Sequence, residues 1–144
     1  LGEEVFLLNF EPVRIGSHCC LSQRAFLCTG NHDFRKPDFP YRNAPITVGD
    51  GAWVGAQCFV APGVTIGAEA VLTAGSVCLK DAPAATVSAG NPATAVKPRW
   101  PGKQAAAAPG TDTPAAKKAP AKKTTPANKG SGAKKKTARK RRRR

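Results

Sequence analysis

The chain has 144 residues and a formal net charge of +14, but that charge is not spread along it. Through Trp100 eight Lys/Arg stand against eight Asp/Glu, and the other fifteen cations lie beyond Trp100 with only Asp112 opposing them, so the high pI describes the tail and not the body. No run is apolar enough to span a bilayer, no signal peptide is visible, and five cysteines without CxxC spacing (Cys19, Cys20, Cys28, Cys58, Cys78) read as reduced thiols and exclude a disulfide scaffold.

From the first residues the chain obeys a six-residue rule. Ile15, Leu21 and Leu27, then Val48, Val54, Val60, Ile66 and Leu72, are all aliphatic, and the residue four places after each is small or modest: Cys19, Ala25, Asn31, Ala52, Cys58, Val64, Ala70, Ser76. Glycine or alanine follows the aliphatic residue at Gly16, Gly49, Gly55, Ala61 and Gly67. Neither a helix nor a meander has this period. It predicts a coil with flat sides and tight corners, the aliphatic and small residues facing inward and the glycine relaxing the backbone at the turn. Three hexads close a triangular turn of eighteen residues, and turns stack about 4.8 Å apart. Ile15–His32 is one turn and Val48–Thr65 another. Leu1, Val5 and Leu7 suggest an earlier turn whose register slips by two residues before Ile15. Because methionine is absent and Leu1 already lies inside a repeat, a missing true start is expected.

Between Leu27 and Trp53 the rule fails in an irregular stretch rich in Pro and Arg, which carries His32, one of only two histidines. A protruding loop is expected there, and a break in a strict repeat is where chemistry is sought first. After Leu72 the repeat fades into Lys80-Asp81-Ala82-Pro83, and Ser88-Ala89-Gly90-Asn91-Pro92 marks a second turn cluster.

These motifs resemble the hexapeptide-repeat acyltransferases over Leu1–Arg99, and within them the colanic acid biosynthesis acetyltransferase group. The residues that carry the resemblance are LLNFEPVRIGSHCCLSQ, FLCTGNHDF, APITVGDGAWVGAQCFVAPGVTIG and AGNPATAVKPR. Galactoside and maltose acetyltransferases are more distant relatives. The resemblance implies an all-β fold, a left-handed parallel β-helix of hexapeptide repeats with one protruding loop. This fills residues 1–100, ends in a C-terminal cap, and is followed by a disordered basic tail over 101–144. It also implies a homotrimer whose active sites are shared between adjacent subunits, and a short β-helix with little core per residue favours such packing.

Only histidine titrates near neutrality without a special environment. His32 by itself is more often a surface residue, but TGNHD resembles the family's catalytic-histidine loop. The activity so implied is acetyl-CoA-dependent transfer of acetyl to a sugar hydroxyl, with His32 as general base and no covalent acetyl-enzyme. Trp53 stands where relatives place an aromatic beside the reacting end of the cofactor, or else caps a hydrophobic corner. Asn9 resembles the asparagine that contacts the acceptor. Asp33 either orients the imidazole or is simply solvated; Arg35, with Lys36 and Arg42, either meets an anionic saccharide or keeps the loop soluble. Acetyl-CoA would run past Ala56, Ala74 and Gly75, with Lys80, Lys97 and Arg99 near its phosphates, unless these are ordinary surface charges. The chain has Thr94 where relatives carry arginine and Leu79 where they often carry threonine. No metal is expected, since two histidines without a registered third ligand cannot build a catalytic zinc site.

The tail from Pro101 contains no aliphatic residue larger than alanine and ends Arg139-Lys140-Arg141-Arg142-Arg143-Arg144. It resembles the Lys/Ala/Pro-rich tails of linker histones, and no core can form from it. Nonspecific nucleic-acid binding, attraction to an anionic membrane surface, or no selected role are its three readings. With it comes a different class of function, a catalytically silent trimeric scaffold for the tail. A cytoplasmic location, peripheral at the inner membrane, suits the enzyme reading. Deleting residues 101–144 is expected to abolish a salt-sensitive affinity for DNA or for anionic liposomes; unchanged binding of both would remove the tail from any polyanion contact.

Overall fold

The computed structural model describes residues 1–102, which form twelve short strands and no helix. In chain order these are β1 (Phe6–Leu8), β2 (Val13–Ile15), β3 (Cys20–Leu21), β4 (Phe26–Cys28), β5 (Ile46–Val48), β6 (Trp53–Val54), β7 (Phe59–Val60), β8 (Thr65–Ile66), β9 (Val71–Leu72), β10 (Val77–Cys78), β11 (Thr86–Gly90) and β12 (Ala93–Pro98). They sort into three parallel sheets: β1-β4-β7-β10 on the first face, β2-β5-β8 on the second, and β3-β6-β9-β11 on the third. The chain visits the faces in rotation, so it winds as a three-sided parallel β-helix. Antiparallel β12 extends the third face. The tail expected over 101–144 lies almost wholly outside the described residues.

Register follows the hexads. Val48 pairs with Ile66 and Val54 with Leu72, eighteen residues on in each case. Leu7 pairs with Leu27, twenty residues on, which is the expected slip of two. Leu27 pairs with Val60 across thirty-three residues, one turn plus a fifteen-residue insertion. Leu21, Leu27, Val48, Val54, Val60, Ile66 and Leu72 are all buried, and Ala25, Ala52, Cys58, Val64, Ala70 and Ser76 join them from the corners. The repeat also runs one hexad further than its aliphatic pattern shows, because buried Cys78 fills the next inward position against Val60. Burial of about 1.5–3 kcal/mol per large aliphatic side chain makes this narrow core the main stabilising term.

Three expectations need correction. Ile15 is 37% exposed and not core, because β2 is the edge strand of its sheet and, among the described residues, none pairs with its other side. Asn31 is exposed as well, since the chain has left the coil by that point. The glycine after each aliphatic residue does not supply the turn conformation. Positive φ falls two residues later, at His18 (56°), Arg24 (57°), Gln57 (57°) and Glu69 (59°), the position that Gly63 fills after Pro62. Each corner is a β-turn closed by a bond such as Ala70 N–H to the Gly67 carbonyl, with positive φ at its third residue as in a type II turn. The left-handed residue hands its own N–H to the coil below, as Gln57 does to Gln23 and Glu69 to Asp50.

What the earlier glycine supplies is clearance. A Cβ on Gly55 would stand 2.6 Å from the backbone nitrogen of Ala74 in the next coil. Gly55→Ala is therefore expected to lower stability by about 1–3 kcal/mol in thermal or denaturant unfolding. An unchanged midpoint would show that the coils do not approach this closely.

Candidate active site

The coil breaks open at the corner between the first and second faces. Thr29, fully buried, roots the opening: its hydroxyl donates to the Leu8 carbonyl (2.8 Å) and accepts from the Glu11 N–H (3.0 Å). Beyond it the chain leaves and returns as a two-stranded stalk. Arg42 N–H bonds the Asn31 carbonyl, Asp33 N–H bonds the Pro40 carbonyl, and Ala44 N–H returns to the Thr29 carbonyl. His32 bridges to Tyr41 in this stalk, and the Asn43 side-chain oxygen accepts the Asn31 N–H at 3.1 Å.

Within this frame the His32 ring is fixed by backbone. Its Nδ1 lies 2.6 Å from the Phe39 carbonyl oxygen, while the backbone N–H of His32 donates to the Asn31 side-chain oxygen at 2.8 Å. A carbonyl can only accept, so Nδ1 carries the proton and the Nε2 lone pair is left free. The imidazole is exposed, with the Tyr41 ring 4.7 Å away. Asp33 does not orient it. The Asp33 carboxylate is bound by the Arg35 guanidinium at 2.8 Å and 3.2 Å, and that hydrogen bonding holds its pKa below the usual carboxylate value and raises that of Arg35. Arg35 is thereby committed within the loop.

Asn9, exposed on the connection after β1, shares this corner with the loop, and Lys80, just after β10, lies at the same corner two coils along. Lys80 borders a cleft of about 230 Å³ with Asp81, Ser88 and Thr94. The remaining expected residues sit elsewhere on the prism. Trp53 points outward from the third face between Cys20 and Val71, half-exposed, its indole N–H donating to Ser22 at 2.9 Å. Ala56 and Gly75 stack at the corner between the third and first faces, joined by the Gly75 N–H to the Ala56 carbonyl, with Ala74 beside them. Within one chain this groove and His32 belong to different corners. Lys97, on β12, also belongs to the third face.

Arg99 is engaged within the chain. Its guanidinium donates to the Gly51 (2.8 Å) and Glu69 (3.1 Å) carbonyls and pairs with the Glu69 carboxylate at 3.3 Å, with Trp100 stacked 4.8 Å away. It straps two successive coils at the corner between the second and third faces. Gly49-Asp50-Gly51 is one of those corner turns. Inward thiols are equally structural: Cys58 donates to the Thr73 carbonyl and Cys78 to that of Lys80, and burial raises both, Cys78 to about 11. Among the described residues no three His, Cys, Asp or Glu converge to hold a metal ion. Sequence reasoning missed Thr29, Phe39, Tyr41 and Asn43, whose roles depend on a loop register no repeat specifies. Arg99→Ala is expected to lower stability by about 1–3 kcal/mol with or without ligand; a thermal midpoint that falls only when coenzyme A is present would return Arg99 to the cofactor.

Comparison with known proteins agrees with this fold. Residues 45–80 match the family described as bacterial transferase hexapeptide (six repeats). A protein of Escherichia coli K12 named as a colanic acid biosynthesis acetyltransferase, WcaF, is 40% identical over 99 residues, covering 69% of this chain and 54% of its own length. The chain thus spans about half the length of the curated relatives it matches. Among solved structures, a maltose O-acetyltransferase from Clostridium difficile 630 superposes with a TM-score of 0.61 at 31% identity, over 67% of this chain and 57% of that one. A galactoside acetyltransferase in complex with coenzyme A gives 0.62 at 28% identity, over 67% and 50%. The coil is a left-handed parallel β-helix, as in these neighbours. On its repeat, its fold and these matches, the chain belongs to the hexapeptide-repeat family of bacterial transferases.

Proposed function

We propose that the protein is an acetyl-CoA-dependent O-acetyltransferase acting on a sugar hydroxyl, with His32 as general base. The observation that carries this reading is the 2.6 Å contact between His32 Nδ1 and the Phe39 carbonyl, which in the neutral ring makes Nε2 the acceptor. Such a nitrogen accepts the proton of a bound hydroxyl as its oxygen attacks the acetyl carbonyl. The new C–O bond forms, the C–S bond breaks, and the proton held on Nε2 passes to the departing coenzyme thiolate. No acyl-enzyme is required.

Acetyl-CoA would lie along Trp53, Ala56, Ala74 and Gly75 with Lys80 and Lys97 toward its phosphates. That groove and His32 occupy different corners of one chain, so the reading includes a homotrimer in which neighbouring subunits complete each site. The outward aromatic ladder Phe6–Phe26–Phe59 on the first face, with centroids 5.0 Å and 5.4 Å apart and Phe6 56% exposed, supports burial against another subunit. The names of the relatives favour a saccharide acceptor, and that of the first favours an exopolysaccharide precursor. We place the reaction in the cytoplasm, at the inner membrane surface where the basic tail would meet anionic lipid.

The tail's fifteen cations favour a second reading, a silent trimeric platform that binds polyanions. Acetyl transfer separates the two. His32→Ala is expected to reduce kcat about 100- to 10,000-fold, with the acetyl-CoA KM little changed, as followed by mass spectrometry of acetylated saccharide. An active His32→Ala protein would remove His32 from the mechanism, and no transfer by the unaltered protein to any saccharide would leave the platform.

A further inference from the structure

The mouth of the loop carries aromatic rings that the core does not need. Tyr41 is 71% exposed and Phe10 60%, their centroids 6.1 Å apart, and Tyr41 lies 4.7 Å from the imidazole. The two arrive from different elements, Phe10 from the connection between β1 and β2 and Tyr41 from the returning arm of the stalk. Bare backbone makes room for the arrangement: a Cβ on Gly30 would stand 2.5 Å from a carbon of the Phe10 ring. Tyr41 is held by the bridge to His32 on one side and by the Arg42 N–H to Asn31 bond on the other. Rings left in water on a fixed frame, beside a free imidazole nitrogen, are a recognition surface more than a packing residue.

A sugar ring is the chemistry that matches. Its face of C–H groups lies flat on an aromatic ring while its hydroxyls point outward to polar partners, here His32 beside Tyr41. We propose that Phe10 and Tyr41 form a stacking platform for the acceptor's sugar ring and so determine which saccharide presents a hydroxyl to His32. The proposal rests on the reading of His32 as the base of acetyl transfer to a sugar, and it adds two specificity-determining residues to it.

The test uses the full chain with methyl β-galactoside and maltose as probes. Binding is followed first by saturation-transfer NMR without acetyl-CoA, then by steady-state kinetics. Phe10→Ala and Tyr41→Ala are expected to weaken sugar binding and raise the acceptor KM about tenfold, with the acetyl-CoA KM unaltered and the sedimentation mass unchanged. Tyr41→Phe, which keeps the ring, is expected to recover most of the affinity. Sugar binding lost in Tyr41→Ala while the parent protein transfers no acetyl would keep the platform and discard the base. Unchanged sugar binding in both alanine variants overturns the platform alone. So does failure of the parent protein to bind either sugar, and so does a drop in sedimentation mass in Tyr41→Ala, which would assign the ring to a subunit contact.

Discussion

Strands of two or three residues cannot hold themselves together, and backbone hydrogen bonding between successive coils is what this molecule depends on. At every corner the chain must turn sharply and still pass its N–H groups to the neighbouring coil. That requirement fixes a left-handed residue at the third turn position and, at Gly16, Gly49, Gly55 and Gly67, a residue without a side chain two places earlier. His18, Arg24, Gln57 and Glu69 take positive φ there although none is glycine. At Arg24, Gln57 and Glu69 the conformation is tolerated because the N–H so presented finds a carbonyl in the coil below, that of Glu3, Gln23 and Asp50 in turn, where a mispositioned one would be unsatisfied.

The same constraint explains how a loop can be inserted without disturbing the fold. The insertion begins and ends at one corner, and pairing resumes in phase on all three faces above it. Thr29 closes the gap with two hydrogen bonds to the coil beneath. From that root the stalk carries an imidazole whose orientation comes from a backbone carbonyl and not from an acidic side chain. A carbonyl cannot lose or gain a proton at any ordinary pH, so the tautomer it selects is held wherever the ring is neutral.

The repeat was legible in the sequence because it is written in side-chain size at a fixed spacing, down to the slip of two before Ile15. Its turn chemistry was not, since the glycines that mark the hexads serve clearance while the strained position is occupied by His, Arg, Gln and Glu as well as Gly. Gly51, Gly63 after Pro62, and Gly75 spelled out the turn at their corners. The location of His32 followed from the broken repeat together with the family resemblance. Its partners did not, because Phe39 acts through its carbonyl, which any residue would supply. The bonds from Arg99 to the carbonyls of a corner were not legible either, because charge alone does not say which oxygens a guanidinium meets.

The account centres on a free Nε2 facing a sugar hydroxyl beside a thioester. A crystal structure of the full chain with coenzyme A and a bound saccharide tests this most directly. It should place a sugar oxygen within hydrogen-bond reach of His32 Nε2, with the coenzyme sulfur beside it and the Phe39 carbonyl still on Nδ1. A coenzyme bound on a face remote from every His32 in the assembly, or an imidazole turned so that Nε2 meets the protein, would contradict it.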